Sequence, residues 1–196
     1  MKKIYPIIEL AAKFATIKRT TEYREGQFEN DSDHSYQLAL ACWCANEQYG
    51  LGLNDELILK LALVHDLVEI YAGDTDAHGD KDKISSKKEK ERKAFEKLKL
   101  EYFQFQGMLD AIEKYENEEG DEIHLVRILD KVIPDVNILN SNTSYYHDRN
   151  VTFGGWKKWL FSKIDYEILG PGLRLLFDEI VEEVENNFQS IFYKEF

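Results

Sequence analysis

Apolar residues return every three to four positions along most of this chain, and no sustained period-two alternation lies between its turn residues. That spacing lines one face of a helix and would scatter the same residues over both faces of a strand. It predicts an all-α fold, a helical bundle. Ile4, Ile7, Ile8, Ala11, Phe14 and Ala15 mark the first amphipathic helix. Two lysines precede that stretch, but Glu9 and Lys13 interrupt it, so it does not read as a signal peptide. No run approaches the roughly 20 apolar residues of a membrane span.

The same pattern organises the rest. "RTTEYREGQFENDSD" (19–33) is polar and reads as a loop, its acids and Ser32 leading into a helix from about His34 to Tyr49. The glycines of "YGLGLND" stop that helix, and Asn54 or Asp55 caps the next, from about 55 to 71. Residues 72–83 form a loop by composition. A charged helix begins near Ser85, with Ala94, Phe95, Leu98 and Tyr102 on one side and Lys/Glu pairs at i,i+4 elsewhere. "YENEEGD" breaks the pattern before a helix that turns Ile123, Val126, Ile128, Leu129 and Val132 inward, with Pro134 as a kink or local irregularity. Residues 141–155 read as a polar loop, followed by a short Trp-rich helix and a last one near "GLRLLFDEIVEEVENNF". With no repeat and no linker, residues 1–196 are expected to form one domain, its motif core at about 8–140 and helices of 155–190 packed on it.

A formal net charge of −12 argues against a nucleic-acid polymer as partner, because polyanions are held by basic surfaces. Cys42 and Cys44 lie two apart, on opposite sides of a helix, so they read as buried or half-buried thiols in a reducing, cytoplasmic setting.

One segment resists the bland reading. "LALVHDLVEIYAGD" (61–74) sets His65, Asp66 and Glu69 among core-type residues, with Asp74 just past a glycine. Carboxylates and imidazoles are costly to bury unless paired, hydrogen-bonded or metal-bound. His34 and Asp130 are two further ionisable residues in half-buried patterns, and together the four supply two imidazoles and two carboxylates from three helices. Such a set suits Mn, Fe, Co, Zn or Mg to different degrees. A second His-Asp pair, His147-Asp148, falls in polar "SYYHDRN" and is assigned to a loop; His124 falls on another side of its helix from Asp130. His78 is placed outside the site, Lys131 in a structural ion pair, and Trp156 and Trp159 in packing.

The segments "IKR", "ENDSDHSYQLALA", "LALVHDLVEIYAGD", "KKEKERKAFEKL" and "RILDKV" together resemble the HD-domain metal-dependent phosphohydrolases, whose signature is H…HD…D. Within them the chain is most similar to the compact 5′-deoxynucleotidase-like group. The resemblance implies that His34, His65, Asp66 and Asp130 hold one divalent metal ion, of identity left open among Mn, Co, Fe, Mg and Zn. It implies catalytic roles for Glu69 near the attacking water and Asp74 near the leaving group, and a phosphate-gripping role for Arg19. The implied reaction is hydrolysis of (deoxy)nucleoside 5′-monophosphates, a small-molecule nucleotide substrate, with room for a homodimer. The chain departs from the group at "TTEY" (20–23) and "TDAHGD" (75–80), so base and sugar preference are not carried over. Two other readings stand beside it: an HD hydrolase of a nucleoside triphosphate, alarmone or cyclic nucleotide, and a non-catalytic, metal-stabilised helical binding module. The latter has no use for Glu69, Asp74 and Arg19.

Overall fold

The computed structural model describes residues 2–79, 81–117 and 119–194; Asp80 and Glu118, in two of the expected breaks, lie outside them. Its helices are α1 (Tyr5–Phe14), α2 (Asp31–Gln48), α3 (Asp55–Val64), α4 (Glu69–Ala72), α5 (Lys81–Glu101), α6 (Gln106–Asn117), α7 (Asp121–Ser141), α8 (Tyr145–Asp148), α9 (Phe153–Lys163) and α10 (Pro171–Asn187). The all-α expectation holds, and no helix among the described residues is long and apolar enough to cross a membrane.

Several boundaries are set by local chemistry. Asn30 caps α2, its side chain accepting from the amides of Ser32 and Asp33, so the helix starts a turn before His34. Asn54 accepts from Leu57 N and starts α3 as expected. On α5 the pairs Lys87–Glu91, Lys93–Glu89 and Lys97–Glu101 form at i,i+4, and the helix begins at Lys81 rather than near Ser85. Ala94, Phe95, Leu98 and Tyr102 are buried, as are the five residues assigned inward on α7. Pro134 lies inside α7 and has no N–H to give the carbonyl of Asp130, four residues earlier. α6 has no counterpart in the sequence reading.

Several expectations fail. The loop of 19–33 is a β-hairpin: β1 (Lys18–Arg24) pairs antiparallel with β2 (Gln27–Asn30), Glu22 opposite Phe28 and Arg24 opposite Gln27. Its turn is Glu25-Gly26, with Gly26 at φ 73°, and Thr20, Thr21 and Tyr23 are strand formers. The helix of 55–71 is broken at His65–Val68, where Leu67 N bonds Val64 O at 3.0 Å and Glu69 N bonds Asp66 O at 2.8 Å. These are i to i−3 bonds, so the coil tightens there. The loop of 141–155 contains α8, whose Tyr145 and Tyr146 are buried. Cys44, expected at least half-buried, is exposed; Cys42 is buried. Ile4, just before α1, and Ile8 on it are likewise exposed, and Leu10 and Phe14 carry the helix's packing.

Two apolar clusters form the interior. One joins residues of α2, α3, α7, α8, α9 and α10 around Leu61, Ile128 and Trp156; the other joins α1, α5 and α6 around Leu10, Leu98 and Ile112. Leu61 and Ala62 belong to the first, Leu67 and Val68 to the second. The chain therefore crosses from one cluster to the other at His65–Asp66.

Asp135 sits in the first cluster with no exposure, accepting from Tyr146 Oη at 2.5 Å and Trp156 Nε1 at 2.9 Å. Burial pushes its carboxyl up to about 7, against the pull of those two bonds. A carboxyl raised in the folded state costs stability above its folded pKa, and the cost fades as pH falls toward its unfolded value. The wild-type protein is thus expected to lose about 1 kcal/mol more than Asp135→Asn between pH 6 and 8. Urea midpoints of the two proteins across that range check this, and parallel curves contradict it.

Candidate metal centre and cleft

β2 runs directly into α2, which places Glu29, Asp31 and His34 on consecutive turns of chain against α7. Glu29, fully buried, accepts from Asn137 Nδ2 of α7 at 2.9 Å and lies 3.3 Å from His34 Nδ1. With Nδ1 turned to that carboxylate, His34 directs Nε2 at Asp130 Oδ1, 3.0 Å away. His65 is set in the same manner. Its Nδ1 donates to Ala62 O at 2.9 Å, and its Nε2 lies 3.0 Å from Asp66 Oδ2 and 3.6 Å from Asp130 Oδ1. The two rings stand 5.3 Å apart.

One ligand atom from each of His34, His65, Asp66 and Asp130 thus lies within 4.8 Å of the others. His65 Nε2 is buried and has no hydrogen-bond partner. Two imidazoles held by their Nδ1 atoms, with Nε2 atoms and two carboxylates converging, fit a divalent ion of the borderline class. Without an ion, burial works against charge on His65, but Asp66 and Asp130 outweigh it and push the imidazole up to about 10. The Lys131 ammonium bonds Asp130 Oδ2, as the ion-pair reading expected.

Arg19 projects from β1 toward the same cluster. Its Nη1 lies 2.7 Å from Asp66 Oδ2 and 3.4 Å from Asp31 Oδ1, and its Nε lies 3.1 Å from Glu29 Oε2 without hydrogen-bond alignment. Asp31 is buried, which pushes it up to about 7, with Asp66 adding to the rise. Glu69 is buried one turn of tightened coil beyond Asp66. Its Oε1 lies 3.4 Å from Lys87 Nζ and its Oε2 has no partner. Burial, reinforced by Asp66, holds Glu69 well above the usual carboxylate range. Asp74 is also raised by burial, against the pull of the Arg19 guanidinium.

Arg19, Asp66, Glu69, Asp74, Lys87 and Asp130 line one cleft, together with Thr20, Thr21, Asp76, His78, Tyr145, Tyr146 and Trp159. The structure gathers Arg19, Asp66, Glu69, Asp74 and Asp130 there, with His34 and His65 behind Asp66 and Asp130. It leaves out His124, which faces Glu119, and His147, whose Nε2 lies 3.2 Å from Ser190 O. Trp156 packs in the core, whereas Trp159, Lys131 and His78 line the cleft; for His78 that reverses the expectation. Glu29, Asp31 and Lys87 were missed. Asp31 sat among acids that read as a helix start, and Lys87 opened a charged run that read as a solvated face.

Residues 11–165 match the HD domain family. A 5′-deoxynucleotidase, HDDC2 of Dictyostelium discoideum, is 29% identical over 140 residues, covering 67% of this chain and 73% of that protein. The fold is shared with a structure described as a predicted metal-dependent phosphohydrolase from Magnetospirillum magnetotacticum, at a TM-score of 0.77 and 24% identity over 98% of this chain and 94% of that one. A conserved hypothetical protein from Pyrococcus furiosus matches at a TM-score of 0.57 and 23% identity, over 90% and 98% of the two chains. The convergent His and Asp side chains and the match across most of the sequence give the same answer: the chain belongs to the HD domain family.

Proposed function

We propose that the protein is a metal-dependent phosphomonoesterase acting on (deoxy)nucleoside 5′-monophosphates. The observation that carries this reading is a cluster of four convergent ligand atoms opening on a cleft that also holds an arginine, the buried Glu69 and the half-buried Asp74. His34, His65, Asp66 and Asp130 would hold the ion. A divalent cation so placed supplies Lewis acidity toward a phosphoryl oxygen and lowers the pKa of water beside it.

The remaining chemistry belongs to the chain. Arg19 grips the phosphate, its fork suited to two oxygens at once, and offsets the acidity of the site. Glu69 takes the proton of the attacking water, whose oxygen forms the new bond to phosphorus. As the P–O5′ bond breaks, its electron pair stays on the leaving oxygen, and Asp74 gives that oxygen a proton. Burial raises both carboxyls, which suits Asp74 as an acid, and a cation held by the four ligand residues would draw Glu69 back toward the charged form that a base needs. Lys87 stands beside Glu69 and holds it in place.

Support for the nucleotide comes from the 5′-deoxynucleotidase relative and from the cleft itself. The test is phosphate release by metal-loaded protein across nucleoside 5′-monophosphates, a nucleoside triphosphate, an alarmone and a cyclic nucleotide. Inorganic phosphate is expected from the monophosphates. Turnover of another class alone would replace this reading with that of a different HD hydrolase. Glu69→Gln is expected to keep the metal and lower kcat by about 10²–10⁴-fold, the usual range for a general base. Unchanged kcat removes Glu69 from the mechanism.

A further inference from the structure

We propose that the end of the cleft formed by His78, Tyr145 and Trp159 is a specificity subsite for a planar heteroaromatic ring, the base of a nucleotide whose phosphate lies at Arg19. The proposal rests on the monophosphatase reading and names the part of the molecule that tells a nucleotide from any other phosphate ester.

The subsite is built rather than incidental. Asp76 fixes the loop after α4: its carboxylate accepts from Arg149 Nε at 2.9 Å and Nη2 at 2.6 Å, from Tyr145 Oη at 2.5 Å and from His78 N at 3.0 Å. Those bonds bring His78 against Trp159, ring centres 4.7 Å apart, and edge-on to Tyr146 at 5.3 Å and Tyr145 at 6.4 Å. Tyr145 and Tyr146 are buried and hold the wall, while His78 and Trp159 are only half-buried where they line the cleft. A second electrostatic character results. Arg19, Asp66, Glu69, Asp74 and Asp130 give the cleft its charged groups, whereas His78, Tyr145 and Trp159 give it rings.

Burial, helped by Arg149 and Lys163, drives His78 down to about 4 although Asp76 pulls the other way. At neutral pH its ring is therefore uncharged, with one nitrogen donating and the other accepting. An uncharged imidazole beside an indole suits a base, which offers a flat face for stacking and a polar edge for one hydrogen bond. A phosphate ester with no ring would leave both half-exposed rings uncovered. Specificity is thus placed on His78, in the loop after α4, and on Trp159 of α9.

The test compares kcat/KM for a nucleoside 5′-monophosphate with that for 2-deoxyribose 5-phosphate, which keeps the phosphate and sugar and lacks the base. Wild type is expected to favour the nucleotide, and Trp159→Leu and His78→Ala to lower that preference about 10–100-fold and severalfold respectively. A wild-type enzyme that does not discriminate, or variants in which both substrates fall together, overturns the subsite. If wild type hydrolyses neither ester, the monophosphatase reading fails, and the subsite is judged by binding alone. A phosphonate analogue of the nucleotide should then quench tryptophan fluorescence in wild type and not in Trp159→Phe. Equal quenching in the two overturns it.

Discussion

Replacing His65 by alanine is expected to remove the metal ion from the protein and lower phosphate release by more than about 100-fold. Loss of a residue that only supports a ligand already costs about 10–100-fold in affinity or activity, and His65 would supply a ligand directly. Its ring is oriented by one bond, from Nδ1 to Ala62 O, and its Nε2 faces the carboxylates of Asp66 and Asp130. Alanine therefore deletes a ligand atom and leaves those two carboxylates without its charge. A second readout follows from linkage. An ion that binds only the folded state at 100 times its Kd adds about 2.7 kcal/mol of stability. The melting temperature of wild type should rise on adding metal, and that of His65→Ala should not. An equal rise in both would take His65 out of the ligand set.

Arg19 is expected to separate two effects that alanine would confuse. Arg19→Ala leaves Glu29 and Asp31, both buried, without their cation. Breaking a buried ion pair in this way typically costs about 3–5 kcal/mol, so that variant should unfold at markedly lower denaturant. Arg19→Lys keeps the charge and loses the planar fork. Giving up a second charge-assisted hydrogen bond to phosphate costs about 1.5–3 kcal/mol, or about 10–100-fold in kcat/KM at 1.4 kcal/mol per factor of ten. The expected result is a folded, metal-binding enzyme with raised KM. Wild-type kcat/KM in Arg19→Lys would assign Arg19 to holding the acids together and nothing else.

The helical architecture was legible because most helices bury one stripe, and the positions assigned inward on α5 and α7 are buried. The hairpin was not. Its strands carry charged and polar side chains on both faces, Arg19 and Glu29 among them, because one face of the ribbon serves the site instead of an apolar core. The break at His65–Val68 was equally hidden, since Leu67 and Val68 continue the apolar pattern while joining the second cluster. This changes the geometry of the motif: Glu69 follows Asp66 through a tightened turn rather than along a continuous α-helix. The convergence of His34, His65, Asp66 and Asp130 was legible from their types and from the family pattern. Glu29, Asp31 and Lys87 were not, because nothing local marks a charged residue in a polar segment as buried. Only tertiary packing brings Lys87 to Glu69 from 18 positions away.

The central claim is that one ion, held by these four side chains, makes the cleft a phosphomonoesterase. Metal content and phosphate release from nucleoside 5′-monophosphates, measured together on wild type and Asp66→Ala, test it most directly. The account predicts about one divalent ion per wild-type chain, activity that stops on chelation and returns on reloading, and neither ion nor activity in Asp66→Ala. A metal-loaded wild type that releases no phosphate, or an Asp66→Ala protein with full metal and full activity, would contradict it.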